Sequence, residues 1–173
     1  GVGNYVMDAA MNGALGNTSM GYKALQQVTT GDYNTAIGYE AGNDIVSGHN
    51  NVLIGNLAGD KSSAGGYLVV IGDEAGGADI AAGADGMVLI GANAGGAITS
   101  GAACIAIGWE SLKQHTTGGN QIAIGKGAMD GTGNAGGSAN QIMIGTDAGG
   151  GTWGSTAMNH NIGIGHYAMR GAL

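Results

Sequence analysis

The four histidines of this chain are the first candidates for chemistry, because a neutral imidazole is a common metal ligand and acid–base group. They are His49, His115, His160 and His166, and none stands at metal-ligand spacing from cysteine or carboxylate residues. His160 and His166 lie in adjacent stretches, and only several copies meeting at an axis would gather such a residue around a metal ion. We expect surface or turn histidines, with no metal and no cofactor.

The single cysteine and the acidic residues are equally weak candidates for chemistry. Cys104 lies in an apolar run, which favours a small buried side chain over a nucleophile. Asp73, Glu74 and Glu110 would have to come from different coils or chains to form a glycosidase pair, so a stack of surface acids is the simpler interpretation. The stretch GGADIAAGADG lacks the recurring nine-residue period of calcium-binding rolls. The sequence therefore predicts no catalytic residues and no enzymatic activity.

Composition and charge narrow the class of protein. The chain has 173 residues, of which 5 are basic and 12 acidic, and its formal net charge of −7 disfavours nucleic-acid binding. No apolar run approaches the ~18 residues of a membrane span, so we expect no membrane insertion. Glycine makes up 39 residues and proline none, while 43% of residues are apolar and 10% charged. This composition excludes collagen and disfavours disorder, and it favours thin, glycine-turned repeats.

A repeat of about 17 residues organises the whole sequence. Its signature is an aliphatic residue, a glycine, two variable residues and a small residue, and it occurs ten times. Spacings between successive repeat glycines are 17 to 20 residues, with 17 the commonest. The longer coils carry their extra residues in glycine-rich stretches, as insertions in a solenoid would. The repeat glycines are Gly3, Gly21, Gly38, Gly55, Gly72, Gly91, Gly108, Gly125, Gly145 and Gly165.

The alternation of residue types before each repeat glycine predicts a short strand that ends at that glycine. The residue before the glycine is Ile in eight of ten copies, and the third before it is Thr, Val or Ile in all nine readable copies. Both point to one face of a strand, and we expect that face to be the interior. Alanine three residues after the glycine fits a cramped inside. A second glycine seven residues before, as at Gly31 and Gly48, predicts a corner with positive φ.

These features predict an all-β fold, a parallel β-solenoid of about ten coils, each with about two short strands and two turns. Tandem helical repeats need 33 residues or more per unit. The residues alone leave the handedness of the coil open.

The opposite strand face is also apolar, at the second and fourth residues before the repeat glycine. We expect this face to point outward, and a stripe apolar along a rod indicates side-by-side packing of chains. The alternative is tolerance of small apolar residues on an exposed face. The residues predicted to pack between chains are Leu53, Leu68, Val70, Met87, Leu89 and Met143.

Aromatic residues follow several repeat glycines, where variable side chains project outward. Exposed rings offer large contact area at low entropic cost and suit sugar faces. The alternative is that they cover the coil edges. The candidate receptor contacts are Tyr22, Tyr39, Trp109 and Tyr167, together with Trp153 in an enlarged coil.

The phrases NTAIGYEA and TTG, as in GNTSMGYKALQQVTTGDYNTAIGYEAG, resemble the repeats of bacteriophage tail fibres and spikes and are similar to the heads of trimeric autotransporter adhesins. The resemblance implies a left-handed β-roll, one repetitive domain over 1–173 within a longer fibre, and a homotrimer. It also implies a structural rod in the virion that helps to attach the phage to a host-cell glycan or protein receptor. The alternative is a bacterial surface adhesin or a self-assembling extracellular filament. Two 20-residue coils, and Leu or Met at an Asn position, depart from the pattern.

Overall fold

The chain forms a single stack of short parallel strands, one strand for each turn of the backbone. The computed structural model describes residues 1–131, 138–151 and 159–171. No helix occurs within these ranges. The nine strands are β1 (Thr18–Met20), β2 (Thr35–Ile37), β3 (Val52–Ile54), β4 (Val69–Ile71), β5 (Val88–Ile90), β6 (Ile105–Ile107), β7 (Ile122–Ile124), β8 (Ile142–Ile144) and β9 (Ile162–Ile164).

All nine strands belong to one parallel sheet whose strand order is the chain order. Every pair is in register, so that each strand ends with its repeat glycine directly beside the next. Val2 forms an isolated parallel bridge to Met20 and extends the stack by one rung. The predicted parallel β-solenoid is therefore confirmed. At the usual ~4.8 Å between strands, the sheet from β1 to β9 is about 38 Å long.

Backbone hydrogen bonds join each turn to both neighbours. The amide of Thr35 donates to Asn51 O (2.7 Å) in the following turn, and the amide of Gly38 donates to Met20 O (2.8 Å) in the preceding one. The same pair of bonds recurs along the sheet, for example from Val52 to Leu68 O at 2.8 Å. The repeating sequence thus satisfies its backbone groups by stacking, and each turn depends chiefly on its two neighbours.

The repeat glycine is required by both conformation and space. Gly21 has φ +135°, and a Cβ built on it would lie 2.1 Å from Gly38 O. Gly55 has φ +138°, and its Cβ would lie 2.4 Å from Gly72 O. No other residue fits a position where the next turn's carbonyl occupies the Cβ site. This contact explains the glycine that ends each strand from β1 to β8.

Within the described ranges, each turn from β1 to β9 contains one strand rather than the two expected. After the repeat glycine, the second and fourth residues have positive φ, as in Lys23 (55°) and Leu25 (51°). A left-handed residue at alternate positions cannot extend as a strand. The small residue between them faces inward as predicted, and Ala24, Ala41 and Ala58 are fully buried.

The two faces of the strands are reversed from the prediction. The middle residue of each strand points into the solenoid, and Leu53, Val70, Leu89 and Met143 are all 0% exposed within one chain. The first and third residues point outward and are partly or fully exposed. We call these outward residues of β1–β9 the outer ladder. Buried as they are, the middle residues cannot pack against another chain, and that assignment is wrong.

The middle strand residue faces inward because it shares interior volume with the fourth residue after the repeat glycine. Where the middle strand residue is large, the fourth residue after the repeat glycine is glycine: a Cβ on Gly59 would lie 2.9 Å from Leu53 Cδ2. Where the middle residue is small, as at Ala106, the fourth is large, and Leu112 is fully buried. Nine of the ten turns follow this rule. Each pair gives the middle strand residue first and the fourth residue after the repeat glycine second: Gly1/Met7, Ser19/Leu25, Leu53/Gly59, Val70/Gly76, Leu89/Gly95, Ala106/Leu112, Ala123/Met129, Met143/Gly149 and Gly163/Met169.

The turn of Gly38 is the exception to this exchange. It has Ala36 in the strand and Gly42 four residues after the glycine. A Cβ on Gly42 would lie 2.5 Å from Leu53 Cδ1 and 3.1 Å from Leu25 Cδ2, so the neighbouring turns fill the space. A uniform column of Ile would not fit such a shared interior, because close-packed cores tolerate little extra volume.

The fourth residue before the repeat glycine also faces inward, which corrects the outward assignment of Leu68 and Met87, both 0% exposed. Where it is asparagine, it forms an internal ladder. Asn34 Nδ2 donates to Gly48 O (2.8 Å), and Asn34 Oδ1 accepts from the Asn51 amide (3.1 Å). Asn51 repeats both bonds with the next turn. The amides therefore satisfy corner groups that a buried turn would leave unpaired.

The second corner matches its prediction at Gly118 (φ 102°) but differs from it at Gly31 and Gly48. Gly31 and Gly48 do not have positive φ; the left-handed residue lies two positions later, at Tyr33 (φ 56°) and Asn50 (φ 56°). Gly31 is needed for space instead, because a Cβ there would lie 2.3 Å from Gly48 O.

Candidate functional site

The outer ladder is a two-column apolar surface that runs the length of the sheet. Each of its residues except Thr18 and Thr35 is Val, Ile or Met. In β2–β8 these side chains are half-buried, because equivalent residues of adjacent turns cover them. In β9, Ile162 and Ile164 are 66% and 70% exposed. A face about 38 Å long and about 10 Å wide offers on the order of 400 Å², comparable to the apolar patches that mark interaction surfaces.

Three tyrosines line the corner that follows the repeat glycines at the N-terminal end. Tyr22 and Tyr39 stack with ring centroids 5.2 Å apart, and Tyr5 meets Tyr22 edge-on at 5.8 Å. Lys23 forms an ion pair with Glu40 at 3.6 Å. A hydrogen bond from Tyr39 to the Glu40 carboxylate raises the pKa of that phenol. Stacking covers one face of Tyr22 and of Tyr39, so a ligand would meet their exposed edges and remaining faces.

The other candidate aromatics lie apart from this cluster. Trp109 is 51% exposed, and the Lys126 ammonium lies 4.7 Å from its ring centroid. Tyr167 is 46% exposed and contacts His166, with ring centroids 3.7 Å apart, and Arg170, whose guanidinium is 4.5 Å from its ring. Trp153 lies outside the described residues. The structure therefore brings Tyr22 and Tyr39 together but does not join Trp109 or Tyr167 to them.

Two exposed tyrosines at the second corner were not identified from sequence. Tyr33 and Tyr67 are 61% and 59% exposed, and both have positive φ. The Tyr67 ring meets His49 edge-on at 5.2 Å. These positions carry no constant residue type from coil to coil, so the repeat pattern gives no signal for them. They add a second aromatic edge to the rod.

A shallow polar groove of about 270 Å³ crosses the turns that follow Gly55, Gly72 and Gly91. Asp60, Lys61, Glu74 and Asn93 contribute to its lining. The Lys61 ammonium donates to Gly77 O at 3.2 Å, and burial raises the pKa of the Asp60 carboxyl. Gly77 and Gly96, in two successive turns, leave the groove open, and the repeat pattern gives no signal for it.

Cys104 and His115 are buried and held in structural roles. Cys104 is buried, as expected, and burial raises the pKa of its thiol. His115 is 1% exposed and occupies the interior column that holds Ile98 one turn earlier. Its Nε2 lies 3.0 Å from Gly118 O, and desolvation lowers its pKa. The prediction of a surface or turn position is therefore wrong for His115.

Asp73 and Glu74 lie on one turn, and the third acidic candidate, Glu110, lies two turns further on. Asp73 accepts a hydrogen bond from Asn56 Nδ2 at 2.7 Å, and Glu110 pairs with Lys113. Among the described residues no three His, Cys, Asp or Glu side chains form a group that could hold a metal ion.

Within the described ranges, no helix is long and apolar enough to cross a membrane. Comparison of the chain with protein-family models, with curated proteins and with solved structures found no match in any of the three.

Proposed function

We propose that this chain is a structural rod of a phage tail fibre or spike, built as a side-by-side homotrimer and contributing to attachment to a host cell without catalysis. The observation that carries the proposal is the outer ladder, a straight apolar face along the whole sheet. The resemblance of the NTAIGYEA phrase to tail-fibre repeats supports the viral assignment.

A second and third copy of the chain are the partners that suit the ladder best. These copies present the same side chains at the same ~4.8 Å spacing, so equivalent strands of the copies contact one another along the full length of the sheet. Cyclic symmetry buries three such faces on one axis. The copies then stiffen one another, and the buried Val and Ile side chains supply the hydrophobic driving force.

The exposed aromatic edges are the proposed receptor contacts. Tyr22, Tyr39, Trp109 and Tyr167 project from the corner next to the ladder, away from the covered interior. Three copies repeat each edge around the rod, so that weak contacts with a cell-surface glycan or protein act together.

The solution mass tests the assembly. A trimer has a mass near three times 16.7 kDa. The variant Ile90→Lys places a charge in the ladder and is expected to give monomers, while Ser100→Lys, on an exposed corner residue outside the ladder, keeps the trimer. A monomeric wild-type chain, or an Ile90→Lys variant that stays trimeric, would contradict the proposal.

The same ladder and aromatic edges serve a bacterial surface adhesin or an extracellular filament. The sequence that flanks this stretch in its gene separates the alternatives: a virion-attachment segment supports the fibre, and a membrane anchor supports the adhesin.

A further inference from the structure

The first-residue column of the outer ladder changes along the rod in a fixed order. Polar residues occupy only the N-terminal end, valine follows, and isoleucine fills the C-terminal half. The other column is Met20 followed by isoleucine in every strand. The column reads Thr18, Thr35, Val52, Val69, Val88, Ile105, Ile122, Ile142 and Ile162.

A uniform ladder does not by itself fix how copies align. Sliding one rod by a single turn, about 4.8 Å, puts almost every rung back against an equivalent rung. Such a slip costs only the contacts of the terminal rung. Register is weakly specified where a periodic surface looks the same after one step.

Threonine and valine have nearly the same shape, so the difference between Thr35 and Val52 is the hydroxyl. No hydrogen bond from the Thr18 or Thr35 hydroxyl occurs within the described part of the chain. In an aligned trimer, the three Thr35 hydroxyls meet at one level and can bond to one another. After a one-turn slip, the Thr35 hydroxyl of the slipped copy faces Val52 of its neighbours, while their Thr35 residues face its Thr18. The slipped copy's Thr35 hydroxyl is then buried without a partner, which is costly.

We propose that Thr18 and Thr35 set the axial register and the parallel direction of the copies in the trimer. This inference rests on the proposed homotrimer. An antiparallel copy would bring Thr18 against Ile162, so the same two residues also disfavour that arrangement. Polar residues within an apolar interface fix register in this way in coiled coils.

The test is a disulfide assay on mixed trimers. Chains carrying Ile54→Cys and chains carrying Ile71→Cys are refolded together; these residues occupy the same column one turn apart. Aligned copies form disulfides only between equivalent positions, while slipped copies link 54 to 71. Peptide mapping by mass spectrometry counts the two kinds.

The ladder is then made uniform with Thr18→Val and Thr35→Val together, and Thr30→Val on an exposed corner is the matched control. We expect the mixed 54–71 fraction to rise about fivefold or more in the valine pair and to stay low in the control. These isosteric changes on the outer face leave the interior untouched, and circular dichroism checks that the fold is kept.

An unchanged 54–71 fraction in a trimeric valine variant overturns the register role and leaves the trimer standing. A high mixed fraction in the starting protein also overturns it. If the mass measured before oxidation is that of a monomer, the homotrimer itself fails, and the register role fails with it.

Discussion

The interior volume exchange makes a double substitution less harmful than either of its parts. Leu53 is fully buried, so Leu53→Ala removes its packing and is expected to destabilise the solenoid by about 2–5 kcal/mol. Gly59→Leu alone overfills the same space, because its Cβ would lie 2.9 Å from Leu53 Cδ2. That variant also places a branched residue at φ +57°, which costs roughly 1–2 kcal/mol.

Together the two changes recreate the arrangement of the Ala106/Leu112 turn. Leu112 is buried with φ 50°, so the backbone at this position accepts leucine. The added side chain regains roughly 1.5–3 kcal/mol of burial, which offsets the strain. We expect the double variant to be more stable than Leu53→Ala, and the two effects to be non-additive by at least ~1 kcal/mol.

Urea unfolding followed by circular dichroism, at one protein concentration, measures the cycle. The matched control pairs Leu53→Ala with Gly76→Leu, since Gly76 faces Val70 and Leu89 rather than Leu53. Additive losses in the Gly59 double variant would refute the shared-volume account, as would an equal rescue by Gly76→Leu.

Three further outcomes are expected. Asn34→Ala should lower the free energy of unfolding by about 1–3 kcal/mol in urea titrations, because Gly48 O and the Asn51 amide lose their partners; an unchanged midpoint would argue against the asparagine ladder. Gly55→Ala should destabilise the solenoid by about 3 kcal/mol, because the added Cβ would meet the Gly72 carbonyl. Gly83 also has positive φ (+87°) but no atom within 4 Å of an added Cβ, so Gly83→Ala should destabilise clearly less in the same titration. Equal losses of stability would contradict the role of the carbonyl contact. Burial lowers the folded-state pKa of His115, so the unfolded chain binds the proton more readily than the folded chain. The free energy of unfolding should therefore fall as the pH drops below about 6.5 and level off below the folded-state pKa. His115→Ile should weaken this pH dependence in thermal melts recorded from pH 5 to 8.

The sequence repeat was sufficient to predict the coil length, the strand position and the inward alanine. Each of these depends on a constraint that recurs from turn to turn, such as the carbonyl that excludes a Cβ from Gly38. The strand alternation could not tell inside from outside, because both faces are apolar. The deciding signal is the exchange between residues six apart, such as Leu53 with Gly59 and Ala106 with Leu112, which becomes visible only when turns are compared.

The candidate contacts were only partly predictable. Tyr22 and Tyr39 were identified because they follow a constant glycine. Tyr33 and Tyr67 were missed, because their corner is shaped by a left-handed backbone that accepts several residue types. Ring contacts such as Trp109 with Lys126 join successive turns, and single-position patterns do not reveal them.

Because nine of the ten turns balance the volume of their own interior side chains, these turns can replace one another. Removing residues 56–72 would join Gly55 to Asp73 and place Gly76 opposite Leu53, the same pairing of large and absent side chains as before. Loss or duplication of a whole turn during recombination can therefore shorten or lengthen the solenoid in steps of about 4.8 Å without changes to the turns on either side.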